Sequence, residues 1–171
     1  LSDRVFVYTP KGEIKDLPKG ATPLDFAFRV HTDMGYRCIG AKVNGKLEPL
    51  NHALKNGDVI EIIVGRENRV PSLDWLNPEL GYVKSSHARN KIRQWFKKQE
   101  RTQCMAIGKQ IWDKELKRLG IHSTNVDEAM SLFGYSSPDD FFAALGCGSL
   151  SVSQIALKLS ADIEPVEEGI R

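Results

Sequence analysis

The histidines and cysteines are the side chains most able to bind a metal or act as nucleophiles, and their spacing argues against both roles. The chain has four histidines and three cysteines, and the cysteines are Cys38, Cys104 and Cys147. They form no C-x-x-C pair, and no two histidines stand at metal-ligand spacing, so neither a zinc centre nor a redox motif is indicated. We therefore expect reduced, buried thiols, as in a cytoplasmic protein, and neither a metal nor another cofactor.

His31 is the candidate contact residue, because it lies where a predicted helix ends. Together with Leu24, Ala27 and Phe28 it follows the i, i+3, i+4, i+7 spacing of one helical face. This spacing alone favours a structural role, since most lone histidines are structural. A histidine at a helix end could instead contact a ligand, and the residues by themselves leave both interpretations open.

Basic side chains are concentrated in the middle of the chain. Residues 84–118 carry 11 basic and 3 acidic side chains, whereas residues 119–171 carry 2 basic and 8 acidic ones. Such an asymmetry suggests a surface for a polyanion, but a solvated, lysine-rich helix would show the same pattern. We expect four of these cations to face solvent, where they could contact RNA: Lys91, Lys97, Lys98 and Arg101. Trp95 and Phe96 could stack on bases, but we expect at least one of them in the core, as we do Trp112.

The first part of the chain is predicted to form strands around one helix. Apolar runs and alternation predict strands over residues 4–8, 13–17, 39–43, 46–50 and 59–64. Asn44 and Gly45 are the preferred pair for a two-residue hairpin turn. The order is two strands, a helix and three strands, which is typical of a ubiquitin-like β-grasp domain.

The helix of this domain has a clear start. Thr22, Pro23 and Asp25 are the residue types expected at the N-cap and at the first and third helical positions. We expect the helix to run to about His31 and Gly35 to terminate it.

After a polar stretch that contains a proline, the spacing of apolar residues becomes helical. It predicts helices over residues 88–101, 105–119, 125–133, 138–145 and 151–159, with Asn125, Ser137 and Ser151 as caps for the last three. We therefore predict an α+β chain with a β-grasp domain (residues 1–65), a connector (66–86), a small all-α helical domain (87–160) and an acidic tail (161–171). No run of about 18 apolar residues indicates a membrane span. Because the first strand begins almost at residue one without an initiator Met, we interpret the chain as part of a longer one.

Two stretches of the chain resemble the RelA/SpoT family of stringent-response enzymes. The first resembles the TGS domain of threonyl-tRNA synthetases, Obg-type GTPases and RelA/SpoT proteins, and it reads DRVFVYTPKGEIKDLPKGATPLDFAFRVHTDMGYRCIGAKVNGKLEPL, then LKNGDVIEII. The second is similar to the segment that follows this domain in RelA/SpoT proteins, and it reads PSLDWLNPELGYVKSSHARNKIRQWFKKQER. The TGS part alone is moderately specific, whereas the combination is highly specific.

The resemblance implies a regulatory region without catalytic residues of its own. In that family the hydrolase and synthetase domains precede the TGS domain, and none of their motifs is present here. The parent protein would then be a GTP pyrophosphokinase, a ppGpp 3′-pyrophosphohydrolase, or both.

The resemblance also implies a ligand, the 3′ CCA end of deacylated tRNA on the ribosome. The family's contact histidine corresponds to His31, in the sequence Val30-His31-Thr32-Asp33. An imidazole can stack on an unpaired base and hydrogen-bond to exposed hydroxyls, and a tight fit around the terminal ribose would exclude an attached amino acid. Nearby cations that could contact phosphates are Arg29, Lys42 and Lys46.

A second class of function is protein interaction. Some SpoT-type members are regulated by acyl carrier protein through this region, and contact with the catalytic domains of the same chain would give autoinhibition. The stretch WLNPELGYV is more similar to RelA-type than to SpoT-type sequences, which favours tRNA. The helical continuation argues against a tRNA synthetase, whose TGS domain is followed by an editing domain.

Overall fold

The first two strands pair because their apolar residues alternate toward one face. Strand β1 (Arg4–Tyr8) pairs antiparallel with β2 (Ile14–Pro18), with Val5 opposite Leu17. Val5, Val7 and Leu17 are buried, and they form a core with residues of the helix and of the later strands.

The computed structural model describes residues 3–118 and 126–162, and the chain divides after Phe96 into two compact units.

Helix α1 (Pro23–Val30) begins as predicted. The Thr22 hydroxyl accepts a hydrogen bond from the Asp25 N–H (3.2 Å), and the Asp25 carboxylate accepts one from the Thr22 N–H (3.0 Å). This reciprocal capping box satisfies two backbone donors that would otherwise lack partners.

The predicted role of Gly35 was wrong. Helix α1 ends at Val30, His31 is extended (φ −163°, ψ 135°), and a short helix α2 (Thr32–Tyr36) follows. Gly35 is buried inside α2, and a Cβ atom added there would overlap the ring of Phe28. Glycine is therefore required here for close packing and not for a left-handed turn.

The remaining strands complete the β-grasp arrangement predicted from the sequence. They are β3 (Cys38–Val43), β4 (Lys46–Glu48) and β5 (Ile60–Val64), in the order β4-β3-β5 with antiparallel pairing. The β3–β4 turn places both Asn44 (φ 54°) and Gly45 (φ 82°) in the left-handed region that such hairpins require. A parallel bridge between Tyr8 and Val59 connects β5 to β1.

The residues that follow the sheet pack back onto α1. Two 3-10 turns, Leu73–Leu76 and Pro78–Leu80, lead to helix α3 (Ser86–Arg118). Trp75 and Val83 join a core with Phe28, and the Trp75 and Phe28 rings meet edge to face at 6.4 Å. Much of the stretch predicted as a connector thus contributes to the core of the first unit.

A buried carboxylate joins this stretch to α1. Asp25 is fully buried, and besides its capping bond it accepts hydrogen bonds from the Lys84 N–H (2.9 Å), the Ser85 N–H (3.1 Å) and the Ser85 hydroxyl (3.0 Å). The Thr22 hydroxyl donates to the Tyr82 carbonyl at 2.6 Å. The start of α1 and the start of α3 are therefore held by one hydrogen-bond network.

The helical part differs from prediction at its first element. A single 33-residue helix, α3, covers most of the two helices predicted over residues 88–119, because no proline or left-handed glycine interrupts the segment. Helices α4 (Val126–Phe133), α5 (Pro138–Cys147) and α6 (Val152–Asp162) follow, and Ser137 caps α5 as predicted. The Ser151 hydroxyl accepts from the Gln154 N–H, as expected of a cap. The predicted cap Asn125 and residues 163–171 of the predicted tail lie outside the described residues.

The expectation of three reduced thiols was wrong for two of them. Cys104 of α3 and Cys147 of α5 form a disulfide with Cα atoms 5.2 Å apart, and Cys38 remains a buried free thiol. The backbones of the two helices touch nearby, since a Cβ atom on Gly108 or on Gly146 would overlap the backbone of the other helix. Close contact at two glycines brings together cysteines that are 43 residues apart in sequence.

Among the described helices, none is both long enough and apolar enough to cross a bilayer.

Candidate nucleic-acid interface

The backbone around His31 turns its side chain away from the core. His31 serves both as the C-cap of α1, through its N–H bonded to the Ala27 carbonyl, and as the N-cap of α2. Its Nδ1 accepts a hydrogen bond from the Asp33 N–H at 3.1 Å. Leu24, Ala27 and Phe28 are buried on one face of α1, whereas His31 is exposed. The helix ends one residue before the histidine, so His31 does not continue this buried face.

The capping bond also determines which tautomer the neutral imidazole adopts. Because Nδ1 is an acceptor, the ring proton of the neutral form lies on Nε2. No described residue hydrogen-bonds to Nε2, so the N–H at this atom of the exposed ring is available to a ligand. An arrangement of this kind can donate to a ribose hydroxyl or to a base edge while the ring stacks on a base.

A chain of polar contacts leads from His31 to the end of the sheet. Asp33, whose N–H binds His31, forms an ion pair with Arg37 at 3.0 Å. The Arg37 guanidinium donates to the carbonyls of Gly65 (2.8 Å) and Arg66 (3.3 Å). The short helix α2 is thereby tied to the loop that follows β5.

Arg29, one of the predicted phosphate contacts, is engaged elsewhere. Its guanidinium pairs with the Asp16 carboxylate at 3.4 Å, and Arg4 pairs with the same carboxylate at 2.8 Å. The hydrogen bond from Arg4 is the main reason that the pKa of Asp16 lies below its usual value. Arg29 is therefore directed toward β2, and no described contact links it to His31.

Lys42 and Lys46 are exposed at the far end of β3. Both flank the hairpin turn, and Lys46 lies opposite Val43 in the ladder. Helix α2 precedes the other end of this strand, at Cys38. No described contact links either lysine to His31, so the structure does not bring these three predicted residues together.

The aromatic pair at the middle of α3 belongs partly to the core. The Trp95 and Phe96 rings meet edge to face at 5.0 Å, both are half-buried, and Phe96 packs on the core that contains Phe28. Lys91, which was predicted to face solvent, is half-buried, and its carbonyl accepts a hydrogen bond from the Tyr36 hydroxyl (2.9 Å). Burial raises the pKa of that Tyr36 hydroxyl.

The other three predicted cations of α3 lie in the second unit and are exposed as predicted. Lys97 and Lys98 have no ion-pair partner among the described residues, whereas Arg101 pairs with Asp140 at 2.7 Å. The Arg101 hydrogen bond is the main reason that the pKa of Asp140 lies below its usual value. Trp112, which was predicted in the core, is half-buried and packs against the core on the buried Phe141, with ring centroids 5.5 Å apart.

Three arginines near the candidate site were missed by sequence reasoning. Arg37 lies in α2, and Arg66 and Arg69 lie in the polar loop that was taken only as a domain boundary. The signal was the pair of arginines directly after an apolar strand. Within residues 3–118 and 126–162, no group of three His, Cys, Asp or Glu side chains is placed to hold a metal.

Comparison with known proteins agrees with this architecture. Residues 5–64 match the TGS domain family, and residues 95–160 match the RelA/SpoT AH domain family. The chain is 46% identical, over 91% of its length, to a GTP pyrophosphokinase of Escherichia coli strain K12, and 40% identical, over 93%, to one of Myxococcus xanthus. It is 42% identical, over 90%, to a guanosine-3′,5′-bis(diphosphate) 3′-pyrophosphohydrolase of Aquifex aeolicus.

These matches place both parts of the chain in one family. The chain spans about a fifth of the length of these relatives, 21% in each of the three cases. The TGS match covers the sheet with α1 and α2, and the AH match begins within α3 and ends within α6. The chain therefore contains a TGS domain followed by a RelA/SpoT AH domain, and it belongs to the RelA/SpoT family.

Proposed function

We propose that this chain is a regulatory region that binds the 3′ CCA end of deacylated tRNA, with His31 as its main contact. The observation that carries the proposal is the exposed imidazole, whose Nδ1 is occupied by the Asp33 N–H at 3.1 Å and whose Nε2 is free to donate. Unpaired RNA ends are recognised by stacking and by hydrogen bonds to base edges and 2′-hydroxyls, and this ring offers both.

The same geometry supports discrimination against aminoacylated tRNA. A donor held by a backbone cap has little freedom to move away from a bulkier ligand. An amino acid esterified to the terminal ribose would occupy the space next to the hydroxyl that Nε2 contacts. Binding would then report how much tRNA lacks an amino acid.

The exposed lysines of α3 support a second, nonspecific contribution. Lys97 and Lys98 are exposed, and neither has an ion-pair partner in the part of the chain that the structure describes. Such side chains bind phosphates of tRNA or ribosomal RNA without recognising the sequence. This contribution should weaken with salt. Arg101, which is bound to Asp140, should contribute less than the two lysines.

The parent protein would use this signal to control its catalytic domains. The relatives named as GTP pyrophosphokinase and as ppGpp pyrophosphohydrolase support one or both of these activities for it. The proposal also implies a cytoplasmic protein, since ribosomes lie in the cytoplasm. Contacts with the parent's catalytic domains would transmit the state of the tRNA.

The proposal is tested by replacing the ring while keeping its cap. In His31→Asn the side-chain oxygen can still accept from the Asp33 N–H, since Asn is a favoured N-cap residue. The matched control is His52→Asn, which removes a half-buried histidine that lies 3.6 Å from Glu48 in the same unit. Affinity for fluorescein-labelled deacylated tRNA is measured by anisotropy at two salt concentrations, with and without ribosomes.

Loss of one stacking contact corresponds to about 1–3 kcal/mol, so His31→Asn should weaken binding about 5- to 150-fold. His52→Asn should bind as the wild type does. Equal affinity for His31→Asn and wild type, lost only with salt, would contradict a specific contact. Tight binding of acyl carrier protein without tRNA binding would replace the proposal with protein interaction.

A further inference from the structure

A pocket of about 530 Å³ lies at the end of β5, beside the network that starts at His31. We call it the arginine pocket, and its lining residues are Ile39, Val64, Gly65, Arg66, Asn68 and Arg69. Its volume falls in the range of about 300–1,000 Å³ that is typical of small-ligand sites. Neither the family matches nor the tRNA contact assigned to His31 accounts for it.

The floor of the pocket is apolar and exposed. Ile39 is 46% exposed and Val64 is 39% exposed. The β3–β5 ladder shifts register between Cys38 and Gly40, which leaves Ile39 as the extra residue of a bulge. Because bulges redirect side chains, Ile39 points outward while its neighbour Cys38 is buried.

The rim of the pocket is cationic. Arg66 and Arg69 are exposed, and neither guanidinium has an ion-pair partner among the described residues, in contrast to Arg29 and Arg37. The neighbouring Glu67 also makes no described bond to either of them. Two unpaired guanidiniums at the edge of an apolar floor attract an anion that also has an apolar face.

The position of Arg69 depends on Gly65. A Cβ atom at Gly65 would lie 3.0 Å from Cγ of Arg69 and 3.1 Å from Cγ2 of Ile39. The aliphatic stem of Arg69 therefore packs over Gly65, next to the apolar floor. The Arg69 N–H also bonds to the Arg66 carbonyl at 2.9 Å, which holds the two arginines on one turn.

These features match one ligand class, a nucleotide whose base is not stacked on its neighbours. A base can cover Ile39 and Val64, a guanidinium can bind the phosphate or stack on the base, and the Asn68 amide can bond to a base edge. Guanidinium groups bind phosphate oxygens in a bidentate manner and are suited to stacking.

A chain of polar contacts links the pocket loop to His31. Arg37 donates to the Gly65 and Arg66 carbonyls of the pocket loop and pairs with Asp33, whose N–H caps His31. We propose that the arginine pocket binds a second, unpaired nucleotide of the single RNA strand whose 3′ end lies at His31. This inference rests on the proposed function, and it adds a second binding site that sets the path of the strand.

The test uses labelled single-stranded ribonucleotides that end in CCA and increase in length from three to eight nucleotides. The variants are Arg66→Gln with Arg69→Gln, and separately Ile39→Ser. Their matched controls are Lys11→Gln with Lys19→Gln, which removes the same charge from exposed lysines of the same unit, and Leu47→Ser, which removes an exposed apolar side chain. Circular dichroism verifies that each variant is folded.

For the wild type, affinity should rise when the strand becomes long enough to reach from His31 to the pocket. The double arginine variant should lose that gain, at least about tenfold, and Ile39→Ser should lose part of it. The slope of log affinity against log salt should fall by about 0.7 for each phosphate contact removed. The double lysine variant and Leu47→Ser should keep the gain.

The outcomes separate this inference from the function on which it rests. If His31→Asn weakens binding at every length while the arginine variant behaves as the wild type, the pocket is overturned and the tRNA proposal stands. If only the arginine variant weakens binding, the pocket stands and the role of His31 fails. Equal losses for the arginine and lysine variants would overturn the pocket alone. No binding of any strand at millimolar concentration would overturn both the pocket and the contact at His31.

Discussion

Replacement of Asp25 by Ala should unfold the junction between α1 and α3. The substitution leaves three backbone donors without their partner, the N–H groups of Thr22, Lys84 and Ser85. A buried donor that loses its acceptor costs about 1–3 kcal/mol, and Thr22 and Ser85 are buried. Burial of a carboxylate is itself unfavourable, and its removal returns part of that free energy. We therefore expect Asp25→Ala to lower the free energy of unfolding by about 3–4 kcal/mol.

The assay is urea unfolding of the whole chain, followed by tryptophan fluorescence, together with amide hydrogen exchange. Asp58→Ala is the control, because Asp58 also accepts a backbone N–H, from Lys55 at 2.8 Å, and a side-chain N–H from Asn44 at 2.9 Å, but it is only half-buried, in a surface turn. Water can replace that acceptor, so the control should lose about 1 kcal/mol. The Lys84 and Ser85 amides should lose protection only in Asp25→Ala. A loss below 1 kcal/mol with unchanged exchange would refute the reasoning.

Three further predictions address packing, the cysteines and acid stability. Gly35→Ala should lower the free energy of unfolding by about 2 kcal/mol, because its methyl group overlaps the Phe28 ring. Gly40→Ala is the control and should be nearly neutral, since its methyl group would lie 3.6 Å from Cδ1 of Ile63. Equal thermal stability of the two variants would contradict this prediction. A thiol reagent should find no reactive cysteine in the native chain, one after unfolding and three after unfolding and reduction, since Cys38 is buried, its pKa is raised to about 11, and the other two are bridged. Three thiols without reductant would exclude the disulfide, whose reduction should otherwise cost about 4 kcal/mol of chain entropy for 43 residues. The lowered pKa of Asp140 contributes stability above its ordinary pKa that is lost as the pH falls through the lowered value. Unfolding curves of Asp140→Asn should therefore show a smaller loss at acid pH than those of wild type or of Asp139→Asn, and identical pH profiles would argue against the Arg101 contact.

Local signals predicted local structure well. The capping residues Thr22 and Asp25 and the hairpin pair Asn44-Gly45 act through neighbours only a few positions away, and the structure shows each in its predicted place. Strand β1 has its predicted bounds, and the other four strands differ from prediction by one or two residues at their ends. The β-grasp order followed from these elements.

Features that depend on distant residues were not predictable in this way. The second role of Asp25 spans 59 and 60 positions, to Lys84 and Ser85. The disulfide of Cys104 requires the close contact of two helices, which no spacing rule indicates. Gly35 has the type of a helix terminator, but its position is determined by the Phe28 ring, which is seven residues away in sequence.

The candidate site shows the same division. His31 was found through the resemblance, while its spacing favoured the core. The histidine is exposed because α1 ends one residue earlier than predicted, which no local pattern specifies. Arg66 and Arg69 were taken for boundary residues because the pocket that they line with Ile39 forms only when β3 and β5 pair.

The central claim is recognition of an uncharged acceptor end by the capped imidazole. The most direct measurement is the ratio of affinities for aminoacylated and deacylated forms of one tRNA, bound by this chain on ribosomes. We expect the deacylated form to bind at least about tenfold more tightly, and His31→Asn to bring the ratio close to one. Equal binding of both forms by the wild type would contradict the claim.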